Sequence, residues 1–547
     1  MCGIFAYLGS EIDAKHLYES FMKTQNRGPD NNILKTITNN LVFGFHRLSI
    51  NDTSFKANQP FFHPTKPYCL ICNGEIYNHK DLVTENKFTT YSNSDCEVIL
   101  YLYEKYGIQK TLELLDSESF AFCIYDGLKG ELIVARDRFG VRPLFMSKTN
   151  NGEYLFCSEA KSIMPMINED NKIEQFRPGC WKTYNLENHT ESVYHQYYDY
   201  HYPELETVNT QEICKNIKLR LTEAVKKRLM SDRPIGCLLS GGLDSSLISA
   251  LVAREFKNQQ KGVLKTFSIG IKGSTDLYYA QKVADHIGSE HYTIELTEED
   301  FLSALPEVIY NIESYDTTTV RASTGNYLVG KYIKENTDIT VVFNGDGSDE
   351  QSGYIYLANA PSSKDFKDEC CRLLREIHYF DVLRSDRSLS SNFSLETRTP
   401  FLDTDFVNYY MSIKSELKMY GDKMEKYLLR LSFDNDNLLP PEVLWRRKEA
   451  FSDGCSSNER SWHKVIQEFV DKQVTDKEYE EHKSKYIVNT PELKETYFYR
   501  KIFESFYPGK GSIIPHFWLP KWCGDKKDPS ARELTNYDNQ KEINKEI

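Results

Sequence analysis

Short apolar runs separated by turn residues fill the first 200 positions: LVFGFHRLSI from Leu41, YCLICNGEIY from Tyr68, FAFCIYDG from Phe120, ELIVARDRFG from Glu131 and YLFCSEAK from Tyr154. This spacing predicts layered sheets with few helices. Ile4, Phe5, Tyr7 and Leu8 read as a further strand. Helices are predicted at Asp13 to Lys23 and at Ser94 to Tyr106, where Val98, Leu100, Tyr101 and Leu102 give a loosely helical pattern. From about 211 the pattern changes. IGCLLS reads as a buried strand, followed by a Gly-rich turn and the helix LISALVAREF; LKTFSIGI is a second strand, with a helix around Tyr278 to Ile287; ITVVFNG is a third. Strand–helix alternation predicts a parallel sheet with helices on both faces. Ligands of such sheets bind at the carboxyl ends of the strands, which puts the loops 240–246 and 344–350 on one edge. Residues 355–510 read as largely helical. The stretch 195–210, HQYYDYHYPELETVNT, has turn and polar character and reads as a linker. The closing DPSARELTNYDNQKEINKEI reads as a mobile polar tail. Three spans result: 1–200, 211–520 and 521–547.

Composition narrows the class. The 547 residues exceed one ordinary core, and 40% hydrophobic with 27% charged residues fits a soluble globular chain. The net charge of −13 argues against sequence-independent nucleic-acid binding, which rests on Lys and Arg neutralising phosphates. No run is apolar enough to span a bilayer, and MCGIFAYLGSEID lacks the basic start of a secretory signal, so a cytoplasmic protein is expected. Thirteen cysteines in so long a chain read as scattered reduced thiols. The pair Cys69 and Cys72 lies inside an apolar run, with no second pair to complete a zinc site.

Cys2 is different. Excision of Met1, expected beside a small residue, would give Cys2 a free α-amine of pKa about 7.7–8, able to take the thiol proton. The chain continues Cys2-Gly3-Ile4-Phe5, Arg27-Gly28-Pro29-Asp30, His46-Arg47-Leu48-Ser49-Ile50, Asn73-Gly74-Glu75-Ile76-Tyr77-Asn78 and Ser94-Asp95. This ordered set resembles the class II glutamine amidotransferases over residues 1 to about 200. The resemblance implies an α+β N-terminal-nucleophile fold of αββα layers, with Cys2 as nucleophile. It implies Asn73 and Gly74 as oxyanion donors, and Arg47 on the α-carboxylate of glutamine. Glu75 and Asp95 would meet its α-ammonium, and Leu48, Ser49, Ile50 and Asn51 would complete the pocket. Asn26 stands where the family often has His, so adjusted glutamine binding is expected.

Ser240-Gly241-Gly242-Leu243-Asp244-Ser245-Ser246 joins a strand to a helix. Glycines let backbone fold around a pyrophosphate, hydroxyls donate to it, and the helix N-terminus adds a favourable field. No Gly-Lys-Ser/Thr follows, so this is not a Walker loop. The heptad is similar to the pyrophosphate loop of the ATP pyrophosphatases, an α/β parallel-sheet fold here with helical additions. The likeness implies ATP as co-substrate and Mg²⁺ held by Asp244 and by Asp349 of Asn344-Gly345-Asp346-Gly347-Ser348-Asp349-Glu350. It also implies adenosine contacts at Leu238 and Ile269, and ATP contacts at Asn344 and Gly345.

Thr318-Thr319-Val320-Arg321-Ala322-Ser323, Arg398-Thr399-Pro400-Phe401-Leu402-Asp403, Lys423-Met424-Glu425-Lys426 and Trp445 to Gly454 add further matches. Together the motifs resemble the glutamine-hydrolysing asparagine synthetases from residue 1 to about 535. That implies aspartate, glutamine and ATP as substrates, with Arg321 and Lys448 on the phosphates; Thr318 and Asp276 are weaker candidates. The family is often dimeric, so the resemblance leaves room for a homodimer. The family's acidic loop has Ser and Glu where this chain has Asn344 and Asp346, and the loop after Glu350 looks shortened. The family's Glu is assigned to intermediate formation or to ammonia deprotonation. Two other readings stand beside this one: an amidotransferase acting on another carboxylate, and a glutaminase-type sensor with an impaired ATP site.

Overall fold

The computed structural model describes residues 1–10, 13–419, 423–457 and 459–530. The amino-terminal runs form two antiparallel six-stranded sheets. Gly3–Leu8 sits in the first, between Leu41–Arg47 and Tyr154–Cys157. Tyr68–Gly74 sits in the second, between Phe61–Phe62 and Phe120–Asp126. Ile4, Ala6 and Phe43 of one sheet meet Ile71, Ala121 and Val134 of the other in a buried layer. The two-residue period of a strand then points Phe5 and Tyr7 outward, against Leu17 and Phe21 of the helix Ala14–Met22. It points Leu70 and Phe122 the other way, towards Val98 and Leu102 of the helix Val98–Leu114. The result is an αββα stack. The same period separates Cys69, between the sheets, from Cys72, under the helices, so the two thiols cannot share a metal.

The second predicted helix differs at both ends. It opens with a 3₁₀ turn, Asp95–Glu97, and runs on to Leu114 through a kink at Gly107, whose φ of +75° a residue with a Cβ would resist.

The other half holds a wholly parallel five-stranded sheet in the order Glu290–Leu296, Lys265–Ile271, Ile235–Leu238, Val341–Phe343, Glu396–Arg398. Leu247, Ala280 and Val283 cover one face, and Val320, Val329 and Ile333 the other. The two outer strands go beyond the sequence expectation. EHYTIEL is too polar to read as buried, and ETR is only three residues long.

The stretch 195–210 is not a loose linker. His195 and Gln196 form an edge strand on Cys180 and Trp181, and Tyr200 and Tyr202 are buried in an apolar cluster with Phe139 and Leu374. Their phenol hydroxyls give the segment its polar look, but it is the ring bodies that pack. The tail also starts later than expected. Residues 521–530 are part of the fold, because Asp528 pairs with the buried guanidinium of Arg321; residues 531–547 lie outside the described residues.

A buried ionic seam joins the halves. Arg27 meets Glu159 at 2.7 Å and Asp386, across the seam, at 3.3 Å. Arg142 also meets Asp386, at 3.5 Å. Arg228 pairs with Glu118 at 2.5 Å and Asp403 at 2.8 Å. The backbone N–H of Lys161 donates to Glu313 at 2.8 Å. Beside these charges one apolar core runs from Phe5 and Phe21 to Ile309 and Ile312.

Candidate active sites

The first site lies where the two antiparallel sheets open near their strand ends. Cys2 immediately precedes Gly3–Leu8, an inner strand of the first sheet, and Asn73 and Gly74 end a strand of the second. The Cys2 N–H donates to Asn73 Oδ1 at 3.1 Å, and the Cys2 thiol approaches the Leu48 carbonyl at 3.7 Å. Arg27 Nε fixes the Cys2 carbonyl at 3.0 Å. Asn73 Nδ2 is buried and has no hydrogen-bond partner among the described residues. An orphaned amide donor is costly, and it is suited to a ligand oxygen. Gly74 has no room for a side chain: a Cβ would come within 2.6 Å of the Ser119 carbonyl.

A small pocket opens here. Cys2, Arg47, Leu48, Ile50, Asn51, Asn73, Gly74, Glu75 and Asp95 line it. Arg47 is held by the Ser54 carbonyl at 2.7 Å and Asn58 Oδ1 at 2.6 Å, both neutral acceptors, and among the described residues no carboxylate forms an ion pair with it. Asp95 accepts from the Ile76 N–H at 2.7 Å, and Asn51 donates to Glu75. Burial raises the carboxyl pKa of both Glu75 and Asp95; Glu396 and Asp95 add to the rise at Glu75. A cationic ligand group between them would reverse it. Burial also pushes the Cys2 thiol up to about 11 with Met1 attached.

Ser49 stands behind the pocket, its N–H on Asp30 Oδ2 at 2.8 Å. Asn26 does not reach the pocket: its amide donates to Asn392 of the other half at 3.1 Å, so its departure from the family pattern bears on the seam. Sequence reasoning missed Glu396, which lines this pocket from the far edge of the parallel sheet. No local signal marks it.

The second site lies at the carboxyl ends of the parallel strands, in an open cavity with about 1590 Å³ of empty space. Main-chain turns, hydroxyls, carboxylates and apolar side chains all contribute to its wall. The loop after Ile235–Leu238 turns at Gly241, with φ +73°, where a Cβ would strike the Ala280 backbone at 2.4 Å. Ser240 Oγ and Ser245 Oγ lie 2.9 Å apart, and the Gly242 N–H donates to Ser240 Oγ at 3.3 Å. Leu238, Ser240, Gly242, Asp244, Ser245, Ile269, Asn344 and Gly345 line the cavity. Gly241 and Ser246 stand behind it: the Gly241 carbonyl accepts from Arg446 at 2.9 Å, and Ser246 is fully buried in the helix Leu243–Asn258.

Asp244 and Asp349 face each other through two lysines. Lys426 Nζ is 2.7 Å from Asp244 and 2.6 Å from Asp349; Lys448 Nζ is 3.2 Å and 2.8 Å from them. Burial would raise both carboxyls, but the lysines outweigh it and hold them below the usual range. In sequence Lys426 stands only as part of a motif; its role as a bridge needs the fold.

Asp346 is cradled. Asn344 Nδ2 donates to its Oδ2 at 2.9 Å and Ser385 Oγ at 2.5 Å. Burial raises its carboxyl pKa, with Arg384 opposing. Glu350, Asp381, Arg384 and Ser385 join the wall, and of these only Glu350 belongs to a motif noted in the sequence. Thr318 and Asp276 also line the cavity, Asp276 paired to Arg446 at 3.0 Å.

Arg321 is paired on both sides of its guanidinium. It borders the cavity, but Glu495 takes its Nε and Nη2 at 2.8 and 2.7 Å, and Asp528 takes Nη1 and Nη2 at 2.8 and 2.9 Å. Two carboxylates match its charge, as two match that of Lys448.

A family model described as a glutamine amidotransferase domain matches residues 1–215, and one described as asparagine synthase matches residues 216–365 and 352–527. The chain is 44% identical to the glutamine-hydrolyzing asparagine synthetase of Rattus norvegicus, over 98% of this chain and 99% of that one. The counterparts from Homo sapiens and Gallus gallus are also 44% identical, over the same shares. Among the described residues no helix is long and apolar enough to cross a membrane. With both pockets inside the matched regions, the chain belongs to the glutamine-hydrolysing asparagine synthetases.

Proposed function

We propose that the protein makes asparagine from aspartate, with glutamine as nitrogen donor and ATP as co-substrate. The observation that carries this is the pairing, in one chain, of a thiol beside an orphaned buried amide donor with a cavity holding a pyrophosphate-type loop and two carboxylates.

In the first pocket the Cys2 α-amine, freed by loss of Met1, takes the thiol proton. The thiolate adds to the glutamine carboxamide. Asn73 Nδ2 and the Gly74 N–H receive the oxyanion, ammonia leaves, and water releases glutamate. Arg47 takes the α-carboxylate and Glu75 and Asp95 the α-ammonium; Leu48, Ser49, Ile50 and Asn51 shape the walls.

In the second, an aspartate β-carboxylate oxygen bonds to the α-phosphorus of ATP while the bond to the pyrophosphate oxygen breaks. Ammonia then adds to the β-aspartyl-AMP carbonyl, AMP leaves, and asparagine remains. Leu238 and Ile269 border the adenosine side, with Asn344 and Gly345. Ser240, Gly241, Gly242, Ser245 and Ser246 form the pyrophosphate turn. Asp244 and Asp349 would hold Mg²⁺, which would supply positive charge against the phosphates. Lys448 can turn from the carboxylates to the phosphates. Asp346, buried and raised, is suited to accept a proton from the attacking ammonia.

Incubation with glutamine, aspartate and Mg-ATP tests the reading. Asparagine and pyrophosphate should form together; glutamate release with no aspartate-dependent pyrophosphate would sink it.

The cradle around Asp346 speaks against an impaired loop. Asn344 and Ser385 fit the shorter side chain, so one extra methylene displaces the carboxylate by about 1 Å. Asp346→Glu should slow ammonia-dependent pyrophosphate formation by roughly ten- to a hundredfold. A rate gain would instead show that the natural loop is defective.

A further inference from the structure

Asp528 and Ser530 belong to a stretch that borders the synthetase cavity at both its ends. Trp518, Pro529 and Ser530 form part of its wall. The stretch is tied down at both ends. The Trp518 N–H donates at 2.7 Å to Asp316, the residue that caps the helix Thr317–Asn336. Ten residues on, Asp528 clasps Arg321 of that same helix with both oxygens, at 2.8 and 2.9 Å. Asp528 also accepts from the Ser530 N–H and from Gln467 Nε2, each at 2.8 Å. Ser530 Oγ then donates at 3.1 Å to Asp453, in the helical turn Phe451–Gly454 that follows Lys448. The Tyr356 hydroxyl holds the Pro529 carbonyl at 3.2 Å.

Charge balance does not require Asp528. Glu495 alone would neutralise Arg321, and it is the more deeply buried partner, with 1% side-chain exposure against 15% for Asp528. The second carboxylate on this guanidinium instead fastens the stretch to the helix that borders the cavity. Its carboxyl stays ionised, held down to about 2 because Arg321 outweighs the cost of burial.

We infer that residues 518–530 form a strap completing the ATP site, with Asp528 and Ser530 as positioning residues. Asp528 locks the strap to Arg321, and Ser530 ties it to the segment bearing Lys448. Arg321 is thereby the strap's anchor. The inference rests on the ATP reading above.

Its test uses the full chain with Asp528→Asn and, separately, Ser530→Ala. Ammonia-dependent pyrophosphate formation is followed against ATP concentration, and glutamine hydrolysis serves as a folding control in the other half. Loss of a charge-assisted two-pronged contact should raise the KM for ATP about tenfold in Asp528→Asn, with a smaller change in kcat and unchanged glutaminase. Trypsin adds a readout independent of turnover, because Lys521, Lys526 and Lys527 lie in the strap. Mg-ATP should slow cleavage there in the natural protein, and Asp528→Asn should be cut faster. An unchanged or lower KM for ATP in Asp528→Asn would overturn the inference, a lower one marking Asp528 as a competitor of the phosphates. Should that variant lose glutaminase as well, Ser530→Ala decides by the same readouts, and ATP-independent cleavage of the natural protein counts against the strap. A natural protein that forms no pyrophosphate yet is protected by Mg-ATP would sink the synthetic reading and keep the strap.

Discussion

Cys2→Ala should abolish glutamine-dependent asparagine formation and leave ammonia-dependent formation intact. The thiol stands just before the strand Gly3–Leu8, and Asn73 and Gly74 beside it supply donors but no attacking atom. Removing a covalent nucleophile costs on the order of 10⁴-fold or more. Glutamate release should fall below detection. The fold should hold, because the change removes one sulfur from a pocket that is already open. Added ammonium bypasses the missing step, so pyrophosphate and asparagine should form at the natural rate. Residual glutamine use in this variant would mean that the nucleophile lies elsewhere. Mass spectrometry of the natural protein adds a check: the first residue should be Cys2, since Met1 blocks the α-amine and is itself buried against Glu396.

Lys448→Ala should give the mirror image. Its ammonium lies 2.8 Å from Asp349 and 3.2 Å from Asp244, at the edge of the cavity. Burial would favour the neutral amine, but the two carboxylates outweigh it and raise its pKa, so the group stays charged across the working pH range. Phosphoryl-group transfer depends on fixed positive charge against the moving phosphates. Loss of one such donor should cut aspartate-dependent pyrophosphate formation by roughly 10²- to 10³-fold with either nitrogen source. Lys426 stays in place to hold Asp244 and Asp349, so the carboxylate pair should not collapse. Glutamine hydrolysis should continue. Equal loss of both activities would show that the lysine serves the fold instead of the reaction.

The parts of the protein legible in the sequence are those set by short-range order. Strand period two marks the paired sheets, and the switch to strand–helix alternation marks the parallel sheet. Cys2, Asn73 and the turn at Ser240 stand in contiguous motifs, and the fold gathers them as those motifs imply. What stays hidden is set by partners far along the chain. Glu396 reaches the Cys2 pocket from a three-residue strand that no periodicity reveals. Lys426 acquires meaning only once Asp244 and Asp349 are brought to either side of it. The sequence neighbourhood of Arg321 says nothing of Glu495 or Asp528, which pair with it. Asn26 reads as part of the glutamine pocket because it adjoins Arg27, yet it contacts Asn392. The tyrosines at 198, 200 and 202 read as polar because one hydroxyl outweighs a ring in a residue-by-residue count.

The ionic seam bears on any attempt to borrow half of this enzyme. Arg228 is fully buried, and the Asp403 and Glu118 that match it come from opposite sides of the junction. Asp386 likewise answers Arg27 and Arg142 from across it. A cut near residue 200 would part these charges from their counter-ions across the seam and expose the shared apolar core to water. A stand-alone ammonia-fed synthetase is therefore better obtained by silencing Cys2 in the intact chain than by dissection.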